Sequence, residues 1–384
     1  MTSPTTKLLD GILVLDMSQF LSGPFTALRL LDLGARVIKI ERPDGGDLGR
    51  RLYLSDTEIG GDSTLFHAIN RGKESFAADF KNAADLEAAK GLIARADVLV
   101  QNFRPGVIER LGLSYDEVKK INPRIVYASI TGYGDEGPWV QRPGQDLLAQ
   151  ARSGVMWLNG DEVQGPVPFG LAIADLLAGS AVVQGILAAL VRRGISGEGA
   201  HIETSLLEAL IDFQFEVLTT YLNDGKRLPK RSEFRNAHAY LSAPYGVYPT
   251  ADGYLAIAMT PLDKLAPLIE LPAIAGLDLK APFVERDRIK RVIAERIAER
   301  PTDDWLKVLD AADIWCAKVL NWQDLMASDG FSALDMLQTV TRDDGVSIDT
   351  TRSPIRINGT RSLVEDGAPR IGQNTDAIRK EFGL

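Results

Sequence analysis

The sequence predicts an α/β protein whose main body is a parallel sheet with helices on both faces. Strand-like apolar runs alternate with helical stretches between Gly11 and Ile130. Those runs lack the strict polar–apolar alternation of a sheet with one wet face. At 384 residues the chain also exceeds the usual size of one hydrophobic core, so two domains are expected.

Ile12–Asp16 reads as a strand, Phe25–Leu33 as a helix closed by Gly34, and Ala35–Glu41 as a second strand, together the length of one right-handed βαβ unit. Phe76–Phe80 reads as a short strand, Asn82–Arg95 as a helix, and Asp97–Val100 as a buried strand. Ser114 suits the N-cap of a helix over Tyr115–Ile121, and Arg124–Ile130 is again a strand. This arrangement is Rossmann-like. The turn after the first strand, Met17-Ser18-Gln19-Phe20-Leu21-Ser22-Gly23, lacks the Gly-x-Gly-x-x-Gly pattern of dinucleotide sites.

The longest apolar run, Leu176–Val191, is interrupted by Gly179, Ser180, Gln184 and Gly185. It falls short of the roughly 20 residues that span a bilayer and reads as a buried helix. The polar, turn-rich segment Asn223–Arg235 marks a domain crossing. Beyond it, Tyr245–Ala258 reads as two strands joined at Asp252-Gly253, followed by helical segments to about Ala317.

Hydrophobic residues at 45% and charged residues at 25% are ordinary for a globular protein and exclude a disordered or membrane-embedded class. A net charge of −9 argues against nucleic acid as a partner, so an anionic ligand needs a local basic cluster. Residues 1–7 carry no apolar core of a secretory leader, and the lone Cys316 has no partner for an internal disulfide. A cytoplasmic location is expected.

Asp175 is the only charged residue between Gly165 and Val191. Two roles fit it: a cap that accepts backbone N–H groups at the helix start, or a carboxylate nucleophile shielded from water. The two are compatible. Other nucleophile patterns are absent, since there is no Gly-x-Ser-x-Gly elbow and Cys316 between Trp315 and Ala317 reads as core. His67, His201 and His238 have no zinc-ligand spacing, so no metal is expected. Arg42, Lys81, Arg104 and Arg110 stand at element ends, which in a parallel sheet fall at the carboxyl edge where ligands dock.

Together these segments resemble the class III CoA-transferases, the CaiB/BaiF family that also includes formyl-CoA transferases, carnitine CoA-transferases and α-methylacyl-CoA racemases. The resemblance rests on Leu9–Asp16 with Gly23-Pro24, Leu33–Glu41, Asn70–Lys73, Ala96–Gly106, Asn122–Arg124, Thr131–Gly134, Asp146–Ala151, Gly185–Leu190, Ser353–Arg356 and Gly372-Gln373, in that order over the whole chain. It implies a large domain built from both chain ends (1–222 and 326–384), a smaller α+β domain with linkers (223–325), and an interlocked homodimer. It implies Asp175 as the catalytic carboxylate. It also implies CoA contacts from Gln19, Phe20, Leu21, Ser22, Arg42, Lys81, Asn102, Phe103, Arg104 and Arg110, with Arg142 to Gln145 near the thioester. The substrates implied are an acyl-CoA and a small carboxylic acid, with CoA as substrate and no permanently bound cofactor.

Racemases of the family carry histidine where this chain has Gln145, and an amide cannot accept a proton near neutral pH, so transfer is expected over racemisation. A CoA-binding protein without turnover is a further alternative, and would tolerate loss of Asp175. Formyl-CoA transferases carry a run of glycines in the small domain. The comparable Ala237–Tyr245 has none, so formyl-CoA/oxalate activity is not carried over, and His238 or Tyr240 is a candidate to shield the intermediate.

Overall fold

The computed structural model describes residues 7–271 and 282–384. Residues 1–6, on which the reading of a missing leader largely rests, and 272–281, within the expected helical stretch, lie outside the described residues. The chain divides into two compact units, Met1–Ala149 with Ala172–Asp212 and Leu334–Leu384, and Gln150–Leu171 with Phe213–Ala333. The expected boundaries are 222/223 and 325/326. The unit limits follow long-range contacts, which composition does not report.

The first unit is built on six parallel strands: β1 (Leu13–Asp16), β2 (Arg36–Glu41), β3 (Glu74–Ala77), β4 (Val98–Gln101), β5 (Val126–Thr131) and β6 (Ala200–Ser205). They lie side by side in the order β3-β2-β1-β4-β5-β6. The direction of winding therefore reverses between β1 and β4, and the crevice at the carboxyl ends of those two strands is where open α/β sheets bind ligands. Both faces are covered. Val14, Val37, Val98, Val100 and Val126 pack on one side, and Leu15, Ile38, Leu99, Phe76 and Tyr127 on the other, which is why the strands read as continuous apolar runs.

The third strand is Glu74–Ala77 rather than Phe76–Phe80. After Ala77 the chain makes one more bond to β2, Ala78 N–H to Glu41 O, and then turns as Asn82 N–H reaches Asp79 O. The exposed edge of β3 is closed by the carboxyl-terminal segment. Asn374 Oδ1 accepts from Ser75 N–H (2.9 Å) and Thr375 Oγ1 from Ala77 N–H (2.9 Å), ahead of the helix Thr375–Phe382.

Helix α1 (Ser22–Asp32) starts three residues before the expected Phe25, because Phe25 N–H closes the first turn on Leu21 O at 2.8 Å. Pro24 is tolerated in that turn, where its missing N–H has no helical acceptor to lose. Helix α2 (Asp146–Ser153) leads to α3 (Ile173–Ser196), whose 24 residues exceed the apolar run seen in the sequence. By length and composition α3 could cross a membrane. One stripe, Ala174, Ala178, Val182, Ile186, Ala189 and Arg193, is buried against the sheet and α1, while Val191 and Ile195 are exposed. The helix is thus buried on one face only.

In the second unit the strands Gly246–Pro249, Tyr254–Ile257 and Cys316–Lys318 form an antiparallel sheet. Helices Arg286–Ile297 and Thr302–Ala311 cover it around Tyr248, Leu255, Ile289, Ile293 and Trp305.

Candidate functional site

The loop after β1 rests on buried charges. Lys73 Nζ donates to Asp16 Oδ2 at 2.8 Å, and Lys39 Nζ pairs with Asp47 Oδ2 at 2.7 Å while donating to Ser18 O at 2.9 Å. Burial by itself would push the Asp16 carboxyl up, but Lys39 and Lys73 hold it at about 2. Burial brings the Lys73 ammonium down to about 8 against the pull of Asp16. Burial also works against the Lys39 ammonium, yet Asp16 and Asp47 raise it above the ordinary lysine value. Asp47 Oδ1 accepts from Phe20 N–H (3.0 Å) and Gly49 N–H (2.8 Å). A buried lysine therefore pins the carbonyl of residue 18, and a buried aspartate pins the amide of residue 20.

Phe20 is held at φ 63°, a left-handed conformation that bulky residues rarely adopt. Its ring is exposed. From the β4 side, Asn102 closes a two-way clamp: Oδ1 accepts from Gln19 N–H (2.8 Å), and Nδ2 donates to Gln19 O (2.7 Å) and to Ser22 Oγ (3.3 Å). The resemblance implies Ser22 on this loop. It is instead the buried first residue of α1.

Asp175 lies in the first turn of α3 and does not cap it. The cap comes from 29 residues earlier, where Asp146 Oδ2 accepts from Ala174 N–H (2.7 Å) and Asp175 N–H (3.2 Å). That corrects the local reading of Asp175 and frees its carboxyl for other work. The carboxyl is pushed up to about 6, chiefly by burial and then by the negative Asp146. Hydrogen bonds from the Ser22 hydroxyl and backbone N–H offset this only in part. Close passage of α1 and α3 sets this contact. A Cβ at Gly179 would meet Ser22 O at 2.8 Å and Phe25 Cδ1 at 2.9 Å, and Thr26 Oγ1 donates to Gly179 O at 3.3 Å.

Arg42, Lys81, Arg104 and Arg110 are exposed and form no ion pair among the described residues. They follow β2, β3 and β4 in the chain, and Arg110 folds its guanidinium against Gly106. Gln145 is exposed, next to the capping Asp146. The segment carrying it returns to β5 because Gly132 and Gly144 touch backbone to backbone, where a Cβ on either would meet the other's Cα within 2.6 Å. Phe103 and Leu21 are half-buried beside these groups in sequence. Exposed cations at the carboxyl edge of a parallel sheet suit a phosphorylated ligand, and a carboxylate of raised pKa suits nucleophilic attack.

Asp16, Lys39, Lys73, Asp47 and Asp146 were missed by the sequence reading. A lysine inside the strand Val37-Ile38-Lys39-Ile40 was a usable signal, because a charge on a strand buried on both faces requires a partner. Asp47 left no such signal, and Asp146 stood only in the segment Asp146–Ala151 that carries the family resemblance, with no role assigned.

His238 and Tyr240 belong to the second unit. His238 meets Tyr245 edge-on, and Tyr240 lines a cavity of about 650 Å³ with Trp157, Leu218, Tyr221 and Leu228. Cys316, expected in the core, is half-buried on a strand, its thiol pushed up to about 11 by burial and Asp310. Glu162, Glu233 and Asp287 bring carboxylate oxygens within 4.8 Å of one another, but Lys230, Arg291 and Arg286 already face them.

Residues 9–375 match the model of the family described as CoA-transferase family III. The chain is 34% identical to an acetyl-CoA:oxalate CoA-transferase of Acetobacter aceti, over 97% of this chain and 95% of that protein. It is 32% identical to a succinate–glutarate CoA-transferase of Agrobacterium fabrum, with the same two coverages of 97% and 95%. Its fold matches the crystal structure of a CAIB/BAIF family protein from Brucella suis with a TM-score of 0.84 and 32% identity, covering 98% of this chain and 100% of that one.

Proposed function

We propose that this chain, which belongs to CoA-transferase family III and is an enzyme of that type, transfers CoA through covalent intermediates on Asp175. The observation that carries the reading is the Asp175 carboxyl itself, raised to about 6 and facing the Ser22 N–H at the start of α1. Above that pH it is ionised, and its raised basicity makes it a better nucleophile than an ordinary aspartate.

Asp175 attacks the donor thioester carbonyl, and the C–S bond breaks to give an acyl–aspartyl anhydride and CoA thiolate. The thiolate attacks the aspartyl carbonyl, expels the donor carboxylate and leaves an aspartyl-CoA thioester. The acceptor carboxylate then attacks that thioester, forming a second anhydride and freeing the thiolate again. Attack of the thiolate on the acceptor acyl carbon yields the new acyl-CoA and free Asp175. Each step passes a negative charge through the carbonyl oxygen of a tetrahedral centre, and the Ser22 N–H that bonds the Asp175 carboxyl is the donor offered to it when that centre is on Asp175. Water must be kept from the anhydrides, which the apolar surroundings of α3 favour.

Arg42, Lys81, Arg104 and Arg110 supply cations for the CoA phosphates; Gln19, Phe20, Leu21, Asn102 and Phe103 supply the wall, the buried Ser22 serves Asp175 instead, and Gln145 faces the thioester end. Short dicarboxylates are the first acids to test, because the relatives act on oxalate, succinate and glutarate. A homodimer is part of the proposal and is checked by light scattering. The deciding experiment incubates the enzyme with acetyl-CoA or succinyl-CoA and hydroxylamine, then maps the modified residue by mass spectrometry. A hydroxamate on Asp175 is expected. Turnover without modification of Asp175, retained in Asp175→Asn, would refute the mechanism.

A further inference from the structure

A row of polar side chains crosses the other half of the same sheet edge, and the proposed chemistry does not use it. His201 on β6 stacks on Tyr115 (centroids 4.6 Å apart, planes 17° apart) and meets Tyr127 edge-on. Its Nε2 lies 2.9 Å from Ser129 Oγ on β5, and its Nδ1 lies 3.4 Å from Glu203 Oε2. Ser129 Oγ also accepts from Gln101 Nε2 on β4 at 3.0 Å, across the directly paired residues Gln101 and Ser129. Gln101 Oε1 in turn accepts from Phe103 N–H at 2.9 Å. Burial keeps the His201 imidazole below its ordinary value against the opposing pull of Asp135 and Asp116, which favours the neutral ring. With the ring proton on Nδ1 toward Glu203, the bonds of the row run in one consistent direction: Ser129 O–H to His201, Gln101 N–H to Ser129, Phe103 N–H to Gln101.

Gln101 and Ser129 are each 5% exposed, among Leu99, Val100, Ala128 and Ile130. Apolar residues would fill those positions without the desolvation cost of an amide and a hydroxyl, so the row needs a reason. Its end point supplies one. The row terminates on the backbone that carries Asn102, Phe103 and Arg104. Beside that backbone lies a cavity of about 100 Å³, bordered by Phe103, Arg104, Pro105, Ser129 and His201. A loop without its anchor has room to sink into this space, drawing Arg104 away from the sheet edge.

We infer that His201, Ser129 and Gln101 are positioning residues for CoA, a relay that holds Phe103 and Arg104 in their binding position. This rests on the reading that Asn102, Phe103 and Arg104 contact CoA. The Asn102 clamp on Gln19 is independent of the relay, so the Asp175 end keeps its geometry when the relay is cut.

The test measures CoA affinity by titration calorimetry, with kcat and KM for the acyl-CoA, in Ser129→Ala, His201→Phe, His201→Gln and Arg104→Ala. Ser129→Ala removes two bonds of the row and His201→Phe one, and a Kd for CoA raised about 5- to 10-fold is predicted in both, with kcat within about twofold. His201→Gln, whose amide reaches the position of Nε2, restores affinity to within about twofold. A Kd unchanged in Ser129→Ala and His201→Phe while Arg104→Ala weakens CoA overturns the relay. So does an affinity in His201→Gln as poor as in His201→Phe, or kcat falling in step with affinity. If Arg104→Ala leaves CoA binding intact, the CoA-site reading fails and the relay falls with it.

Discussion

Replacing Asp175 by Asn separates what this residue contributes to activity from what it costs the fold. Its folded carboxyl titrates at about 6 against an ordinary 3.8, so the folded state favours the neutral acid. The stabilisation this gives is fully present below the unfolded value and is lost as pH rises through about 6. Ionised Asp175 therefore costs the wild type about 3 kcal/mol at pH 8, about half of that at pH 5, and nothing well below pH 3.8. The part-exposed side chain relaxes into solvent to some degree, so about 2–3 kcal/mol is the working figure at pH 8. An Asn side chain matches the neutral acid in shape and never ionises. Asp175→Asn is accordingly expected to be inactive yet more stable than the wild type at pH 8, with the gain shrinking towards zero at about pH 4. Urea unfolding of both proteins at matched concentration, at pH 8, 5 and 4, measures the difference. A gain independent of pH, or none at pH 8, would show that Asp175 is not a strained carboxylate and would remove the physical basis for its nucleophilicity.

Asp146→Asn keeps a carbonyl oxygen for the Ala174 and Asp175 N–H groups but removes the negative charge, so the acidic limb of the rate profile moves to lower pH, measured as kcat against pH. Asp146→Ala loses the cap as well and costs about 1 kcal/mol more in denaturant unfolding. Gly179→Val forces α1 and α3 apart at Ser22 and Phe25, and both the melting temperature and kcat are expected to fall, with kcat falling at least tenfold at a temperature where the protein stays folded. Lys73→Met leaves the fully buried Asp16 with one cation fewer and is expected to cost about 3–5 kcal/mol in urea unfolding; a loss under 1 kcal/mol would contradict a buried ion pair at that site.

Several local features were legible because they depend on near neighbours. The helix Tyr115–Ile121 follows its N-cap Ser114, whose hydroxyl accepts from Glu117 N–H at 3.5 Å. The two small-domain strands emerge as Gly246–Pro249 and Tyr254–Ile257 around the Asp252-Gly253 turn. Strand limits drifted where tertiary bonds intervene, as at Glu74–Ala77, which the carboxyl-terminal Asn374 and Thr375 help to hold. Buried charges were the least legible part of the site. Lys39 shows in its strand as a charge without a local partner, but its partners Asp16 and Asp47 come from elsewhere in the chain.

Asp175 shows the division most clearly. By itself, the sequence determined that one isolated charge stands at the head of a long apolar helix, because burial pattern and helix periodicity are written in consecutive residues. Only the tertiary structure decided what that charge does. The cap belongs to Asp146, and the Ser22 contact exists because Gly179 lets two helices meet. Both are through-space relations between residues far apart in the chain, and the energies that raise a pKa depend on those distances rather than on sequence spacing.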